Sequence, residues 1–137
     1  MNKTTFLDSI GATLPALSTG RPDARCWDYF TRKGNVVMLG SGDAISGGYT
    51  EIVWLECPNF RERLRYDHVM ECDSVVGRKR EFYFLIRSNG WSDNNNVSWE
   101  VTKDSVVYEI IPETFKVVGD KGFVKLNLSK PISVLEV

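Results

Sequence analysis

The sequence predicts a mainly β fold: an antiparallel sandwich or barrel of about eight or nine strands with one or two short N-terminal helices. Two observations carry this prediction. Apolar residues alternate with polar ones through Val97, Trp99 and Val101, which is the period of half-buried strands. Short stretches rich in glycine and proline separate the candidate strands along most of the chain. An α+β fold, in which a helix packs on an antiparallel sheet, is the alternative.

The N-terminal third contains one predicted helix and one ambiguous segment. Residues 4–17 are expected to form a short amphipathic helix, because their apolar side chains recur at helical spacing: Phe6, Leu7, Ile10 and Leu14. Residues 23–33 have the terminal signals of a helix but also the alternation of a hairpin. The hairpin is favoured, because residues 36–39 resume at once as a strand.

The remaining elements are predicted mainly as strands. Phe82 and Phe84 share one parity with Ile86, while Tyr83 and Leu85 take the other, so this segment should be a central strand with protein on both faces. Residues 59–76 are expected to open as a helical turn and end as an edge strand, and the sequence leaves the choice between helix and strand open. Further strands are expected at residues 50–57, 106–110, 114–118, 123–128 and 132–134, with a hairpin turn between Gly119 and Gly122.

Size, charge and cysteine content limit the class of protein. A chain of 137 residues suits a single domain spanning residues 1–137. A net charge of −1 argues against nucleic acid as a partner, and no apolar run is long enough to span a membrane. Cys26, Cys57 and Cys72 include no close pair, which predicts free thiols without disulfides. With no recognisable signal peptide, the expected location is the cytoplasm, that of the host cell if the protein is viral.

Motifs for catalysis, metals or cofactors are weak. His68 is the single histidine, and the cysteines lack the close spacing of structural zinc sites. The glycine-rich residues 40–48 match neither the dinucleotide fingerprint nor the phosphate-binding loop. No catalytic residue, metal ligand or cofactor is therefore assigned, and the sequence leans against an enzyme.

Two groups of residues are candidates for a protein interface. Trp91 lies in a polar segment where it has little to pack against, beside Asp93 and Asn94. Arg61, Arg63 and Arg65 would share one face of an extended segment, whereas only Arg61 and Arg65 would share a face of a helix. Tryptophan and arginine are the preferred anchors of protein interfaces.

Two functions follow from these residues. The first is a non-enzymatic protein-binding or assembly module, such as a subunit of a homo-oligomeric particle or a viral or phage structural or accessory protein. The second is a β-barrel that binds a small molecule, such as a nucleotide or sugar, in an apolar cavity. That cavity would be lined by Trp27, Trp54, Tyr83 and Trp99.

Overall fold

Two helices and nine strands make up the described part of the chain in the computed structural model, which covers residues 3–16, 19–20, 26–40, 44–45, 47–57, 59–86 and 103–137. The helices are α1 (Lys3–Ile10) and α2 (Phe60–Asp73). The strands are β1 (Asp28–Phe30), β2 (Val36–Gly40), β3 (Ala44–Ile45), β4 (Tyr49–Trp54), β5 (Phe82–Ile86), β6 (Val106–Glu109), β7 (Lys116–Val118), β8 (Lys121–Lys125) and β9 (Ile132–Ser133). The predicted mainly β fold is confirmed.

The strands form two sheets. The five-stranded sheet has the order β1-β2-β5-β6-β9, and the four-stranded sheet has the order β3-β4-β8-β7. β5 lies third of five, as predicted for a central strand. The β1–β2 and β7–β8 hairpins confirm the two hairpin predictions. One or two short helices were expected near the N-terminus, and α1 is one. Residues 59–76, which the sequence left open between helix and strand, form α2 (Phe60–Asp73) with no edge strand after it.

One pair of strands departs from the predicted antiparallel arrangement. β2 and β5 are parallel, with Val36 opposite Phe82 and Gly40 opposite Ile86. Parallel neighbours need a long crossover connection, which here contains β3, β4 and α2. The described strands of the two sheets also do not close into a barrel. They meet where Ile110 bridges Leu126, and the amide of Ile111 donates to the Lys125 carbonyl at 2.9 Å.

Hydrophobic cores lie on both faces of the five-stranded sheet. The α1 cluster packs this helix against one face and contains Phe6, Leu7, Ala12, Tyr29, Val37, Leu39, Leu85, Val107, Val134 and Val137. The α2 cluster packs the other face against α2 and the four-stranded sheet, and contains Val36, Met38, Ile52, Val53, Val69, Cys72, Phe82, Phe84, Ile110, Val124 and Leu126. Alternate residues of β2 and β5 enter different clusters, so both strands are buried on both faces.

The ends of the helices follow from local chemistry. α1 was expected to run towards residue 17, but it ends at Ile10 because Gly11 takes a positive φ of 69°. The Gly11 amide donates to the Asp8 carbonyl, and the Ala12 amide donates to that of Leu7, which is the bonding of a Schellman motif. At the start of α2, the Asn59 side chain accepts from the Arg61 amide at 2.9 Å as an N-cap.

Candidate interaction site

A buried polar cluster fixes the inner side of α2. Asp28, Arg65 and His68 are each less than 10% exposed. One Asp28 oxygen accepts a hydrogen bond from Arg65 Nε, and His68 Nδ1 lies 2.7 Å from the other. Arg65 and His68 are three residues apart and therefore lie on one side of the helix. A single carboxylate from β1 thus holds two side chains of α2.

The Arg65 guanidinium also joins the two sheets. It donates to the Ile52 carbonyl of β4 at 2.9 Å and to the Leu39 carbonyl of β2 at 3.0 Å. His68 packs edge-on against Phe30, with the ring centroids 5.9 Å apart. Arg65 is buried and makes these contacts within the chain, although the sequence placed it among the interface candidates. The inner contacts determine which residues α2 turns outwards.

The outward side of α2 carries an unusual set of residues for a solvated helix. Phe60 is 46% exposed and Tyr66 is 41% exposed. Arg63 and Asp67, which are of opposite charge and four residues apart, are also exposed. Together these four residues are called the α2 face below. Large aromatic side chains at the surface of a helix are frequent anchors of protein contacts.

A groove of about 490 Å³ lies beside the α2 face, where β4 ends. Its walls include Trp54 and Tyr66, and its polar residues include Glu62, Arg63 and Asp67. Trp54 is 47% exposed, and its indole N–H donates to Asp120 at 2.9 Å. The Trp54 amide donates to Glu62 at 3.0 Å, so hydrogen bonds hold both the backbone and the indole of Trp54. A fixed, half-exposed tryptophan loses little side-chain entropy on binding.

The three cysteines form no disulfide and lie in different environments. Cys57 is partly exposed and lines the groove. Cys26 and Cys72 are buried. Burial raises the pKa of the Cys72 thiol from 9.0 to about 12, with smaller effects from nearby charges. Thiolates are the reactive form of cysteine, so Cys57 is the accessible thiol of the site and Cys72 is protected.

The structure separates the residues that the sequence placed together. Arg61 is half-buried at the start of α2, Arg63 is exposed and Arg65 is buried. Of the proposed cavity residues, Trp27 and Tyr83 pack against the α1 cluster, whereas Trp54 lies in the other sheet at the groove. Four predicted residues, Trp91, Asp93, Asn94 and Trp99, lie outside the described part of the chain.

Comparison with known proteins does not assign this chain to a family. No family model, curated protein or solved structure matches this chain. Among the described residues, no group of three or more His, Cys, Asp and Glu side chains is placed to hold a metal ion. No helix in the described ranges is long and apolar enough to cross a membrane.

Sequence reasoning did not identify Asp28, His68, Phe60 or Tyr66 as parts of a site. A helical interpretation of residues 59–76 would have found some of them, since Asn59 is a favourable N-cap after Pro58. On a helix, Arg65 and His68 lie on one side and Arg63 and Tyr66 on another. Asp28 has no local signal, because its partner Arg65 is 37 residues away in the sequence.

Proposed function

We propose that this protein is a non-enzymatic assembly module that pairs with a second copy of itself through the α2 face. The observation that carries the proposal is the composition of this face: exposed Phe60 and Tyr66 lie beside Arg63 and Asp67, which carry opposite charges. Burying the two aromatic rings against another copy would remove apolar surface from water. The charged pair determines the direction of pairing.

The α2 face is complementary to itself when two copies pack antiparallel. Most homodimers have two-fold symmetry, in which the same surface is used on both subunits. In antiparallel pairing about the middle of α2, Arg63 faces Asp67 of the second copy, and Asp67 faces Arg63. Phe60 then lies opposite Met70 near the other end of the helix. Parallel pairing would place like charges opposite one another, which is unfavourable.

The expected affinity is modest. One helix face with an adjacent groove is expected to bury less than the roughly 1,200–2,000 Å² of a standard stable interface. A dissociation constant on the order of 10 μM is therefore expected. If the subunits build a larger particle, a second interface is also needed. The predicted Trp91 contact, with Asp93 and Asn94, stays a prediction for that interface.

Sedimentation equilibrium over about 1–200 μM protein tests the pairing. The wild-type chain should shift from monomer to dimer across this range. Arg63→Asp alone should be monomeric because like charges then oppose each other twice in the antiparallel pair, and the same holds for Asp67→Arg alone. An equimolar mixture of these two variants should dimerise, because each copy then meets an opposite charge in the other.

Two controls keep this result interpretable. Lys79→Asp changes charge by the same amount as Arg63→Asp at an exposed position off α2, and it should leave dimerisation unchanged. Circular dichroism checks that each variant is folded. A wild-type chain that stays monomeric at the highest concentration would overturn the proposal, as would single variants that dimerise as well as wild type.

A small-molecule binder is the second candidate, and the groove volume favours it. About 490 Å³ lies within the range of about 300–1,000 Å³ found for small-molecule sites. Trp54 and Tyr66 would stack on a nucleotide base or a sugar. A monomeric protein whose melting temperature rises with nucleotides or sugars would support this candidate over self-association. Trp54→Leu should then abolish the rise.

A further inference from the structure

The outer face of the four-stranded sheet, turned away from the α2 cluster, combines aromatic and basic side chains. Paired residues of neighbouring antiparallel strands point to the same side. Tyr49 pairs with Lys125, and Trp54 pairs with Lys121. A bulge between Glu51 and Val53 shifts the alternation of β4, which places Trp54 on the same side as Tyr49.

Lysines from two strands gather around one ring of this face. Lys116 Nζ lies 3.8 Å from the centroid of the Tyr49 ring, and Lys125 Nζ lies 5.1 Å from the same centroid. Neither lysine has an ion-pair partner among the described residues. Two ammonium groups close to one ring repel each other, and an anion between them would relieve that repulsion.

In its described residues, the rest of the face carries one basic side chain, Lys121, and two acidic ones, Glu51 and Asp120. Lys121 pairs with Glu51 at 3.2 Å, and Asp120 accepts from the Trp54 indole at the turn between β7 and β8. The uncompensated positive charge therefore lies at the Tyr49 end, and the most exposed aromatic ring, that of Trp54, lies at the other. Four residues of β8 separate these ends, which is about 13 Å at the rise of a strand.

We propose that this face binds single-stranded nucleic acid, with a backbone phosphate between Lys116 and Lys125 and a base stacked on Trp54. Proteins that bind single strands combine a positive track with aromatic rings on which bases stack. A separation of about 13 Å is longer than one nucleotide, so an oligonucleotide is needed to reach both ends. An acidic peptide without aromatic residues offers negative charge but no flat ring for Trp54.

This proposal departs from the expectation that nucleic acid is not a partner. That expectation used the net charge of −1. Lys116 and Lys125 come from different strands, and Tyr49 is far from both in the sequence. Lys116, Lys125 and Tyr49 lie outside the α2 face and the groove, whereas Trp54 belongs to both the groove and this sheet face.

Fluorescence anisotropy with a labelled oligothymidylate of about 15 nucleotides tests the proposal at about 50 mM salt. Wild type should bind, and Lys116→Gln/Lys125→Gln should weaken binding at least about tenfold. Each phosphate of a single strand that the protein neutralises adds about 0.7 to the salt slope of log K, so this variant should show a slope smaller by up to about 1.4. The matched control, Lys79→Gln/Lys103→Gln, removes the same charge from exposed positions outside the face and should bind like wild type.

Two competitors separate nucleic acid from other polyanions. Inorganic polyphosphate supplies phosphates without bases, and polyglutamate supplies carboxylates. Both should compete more weakly than the oligonucleotide. Trp54→Leu should weaken oligonucleotide binding but leave polyphosphate binding unchanged.

Three outcomes would overturn the proposal: no oligonucleotide binding by wild type, an equal loss of oligonucleotide affinity in the control variant, or equal affinity for polyphosphate or polyglutamate. Sedimentation of the Lys116→Gln/Lys125→Gln variant should match wild type, which separates this result from self-association.

Discussion

His68 Nδ1 lies 2.7 Å from Asp28 Oδ2, and both side chains are buried. The other oxygen of Asp28 accepts from Arg65, so one carboxylate of β1 binds two residues of α2. Buried charge is tolerated only where partners replace its lost hydration. The inner side of α2 is therefore fixed in orientation, and the outward direction of Arg63, Tyr66 and Asp67 follows from it.

Asp28→Asn should strongly destabilise the fold, because it leaves the Arg65 guanidinium buried without a negative partner. Removing one member of a buried ion pair typically costs about 3–5 kcal/mol. The free energy of unfolding is measured by urea denaturation. Asp67→Asn makes the same chemical change at an exposed position of α2 and should cost less than about 0.5 kcal/mol. Equal urea midpoints for the two variants would contradict the role of Asp28.

Local patterns in the sequence were sufficient for some elements of the fold. β5 has apolar residues on both parities, which predicted its central position. The β7–β8 hairpin was predicted from its flanking glycines, and Gly119 takes a φ of 63° at the turn. In each case, the information lies within a few consecutive residues. The parallel pairing of β2 with β5 is not local, because a crossover of three elements separates them.

The candidate sites were harder to predict for two physical reasons. Arg61, Arg63 and Arg65 share a face only in an extended segment, whereas the helix directs Arg63 outwards and Arg65 into the protein. On the four-stranded sheet, the bulge in β4 breaks the period of two, so alternation does not place Trp54 and Tyr49 on one side. Contacts across the fold, such as Asp28 with Arg65, leave no trace in sequence spacing.

Tyr29→Phe should stabilise the protein. Tyr29 is completely buried in the α1 cluster, and its hydroxyl oxygen has no hydrogen-bond partner among the described residues. A buried polar group without a partner costs about 1–3 kcal/mol, so removing the hydroxyl should raise the free energy of unfolding by about 1 kcal/mol. Thermal and urea denaturation measure the change. Tyr66→Phe is the exposed control and should be neutral, while a loss of stability in Tyr29→Phe would show that the hydroxyl is satisfied.

One thiol per chain should react rapidly with Ellman's reagent in the native protein. Cys57 is partly exposed at the groove, whereas Cys26 and Cys72 are buried. Cys57→Ser should remove the fast reaction, and all three thiols of the wild type should react in denaturant. If the groove lies at a dimer interface, labelling of Cys57 should slow as protein concentration rises through the dimerisation range. Rapid labelling of the Cys57→Ser variant would show that a second cysteine is accessible.

Stability should fall at alkaline pH, partly because of Cys72. Burial raises the pKa of this thiol from 9.0 to about 12, so the native state keeps a proton that the unfolded chain releases. The contribution of the Cys72 thiol to the free energy of unfolding is complete below pH 9.0 and is lost as pH rises towards 12, at about 1.4 kcal/mol per pH unit.

A Cys72→Ala variant tests this contribution. The variant is less stable than wild type at every pH because it leaves a cavity, but between about pH 9 and 10.5 its free energy of unfolding should fall by about 2 kcal/mol less than that of wild type. Burial also raises the pKa values of Tyr29 and Tyr83, which remain in both proteins and give a shared loss above about pH 10. Parallel stability curves from urea denaturation would show that Cys72 ionises equally in both states.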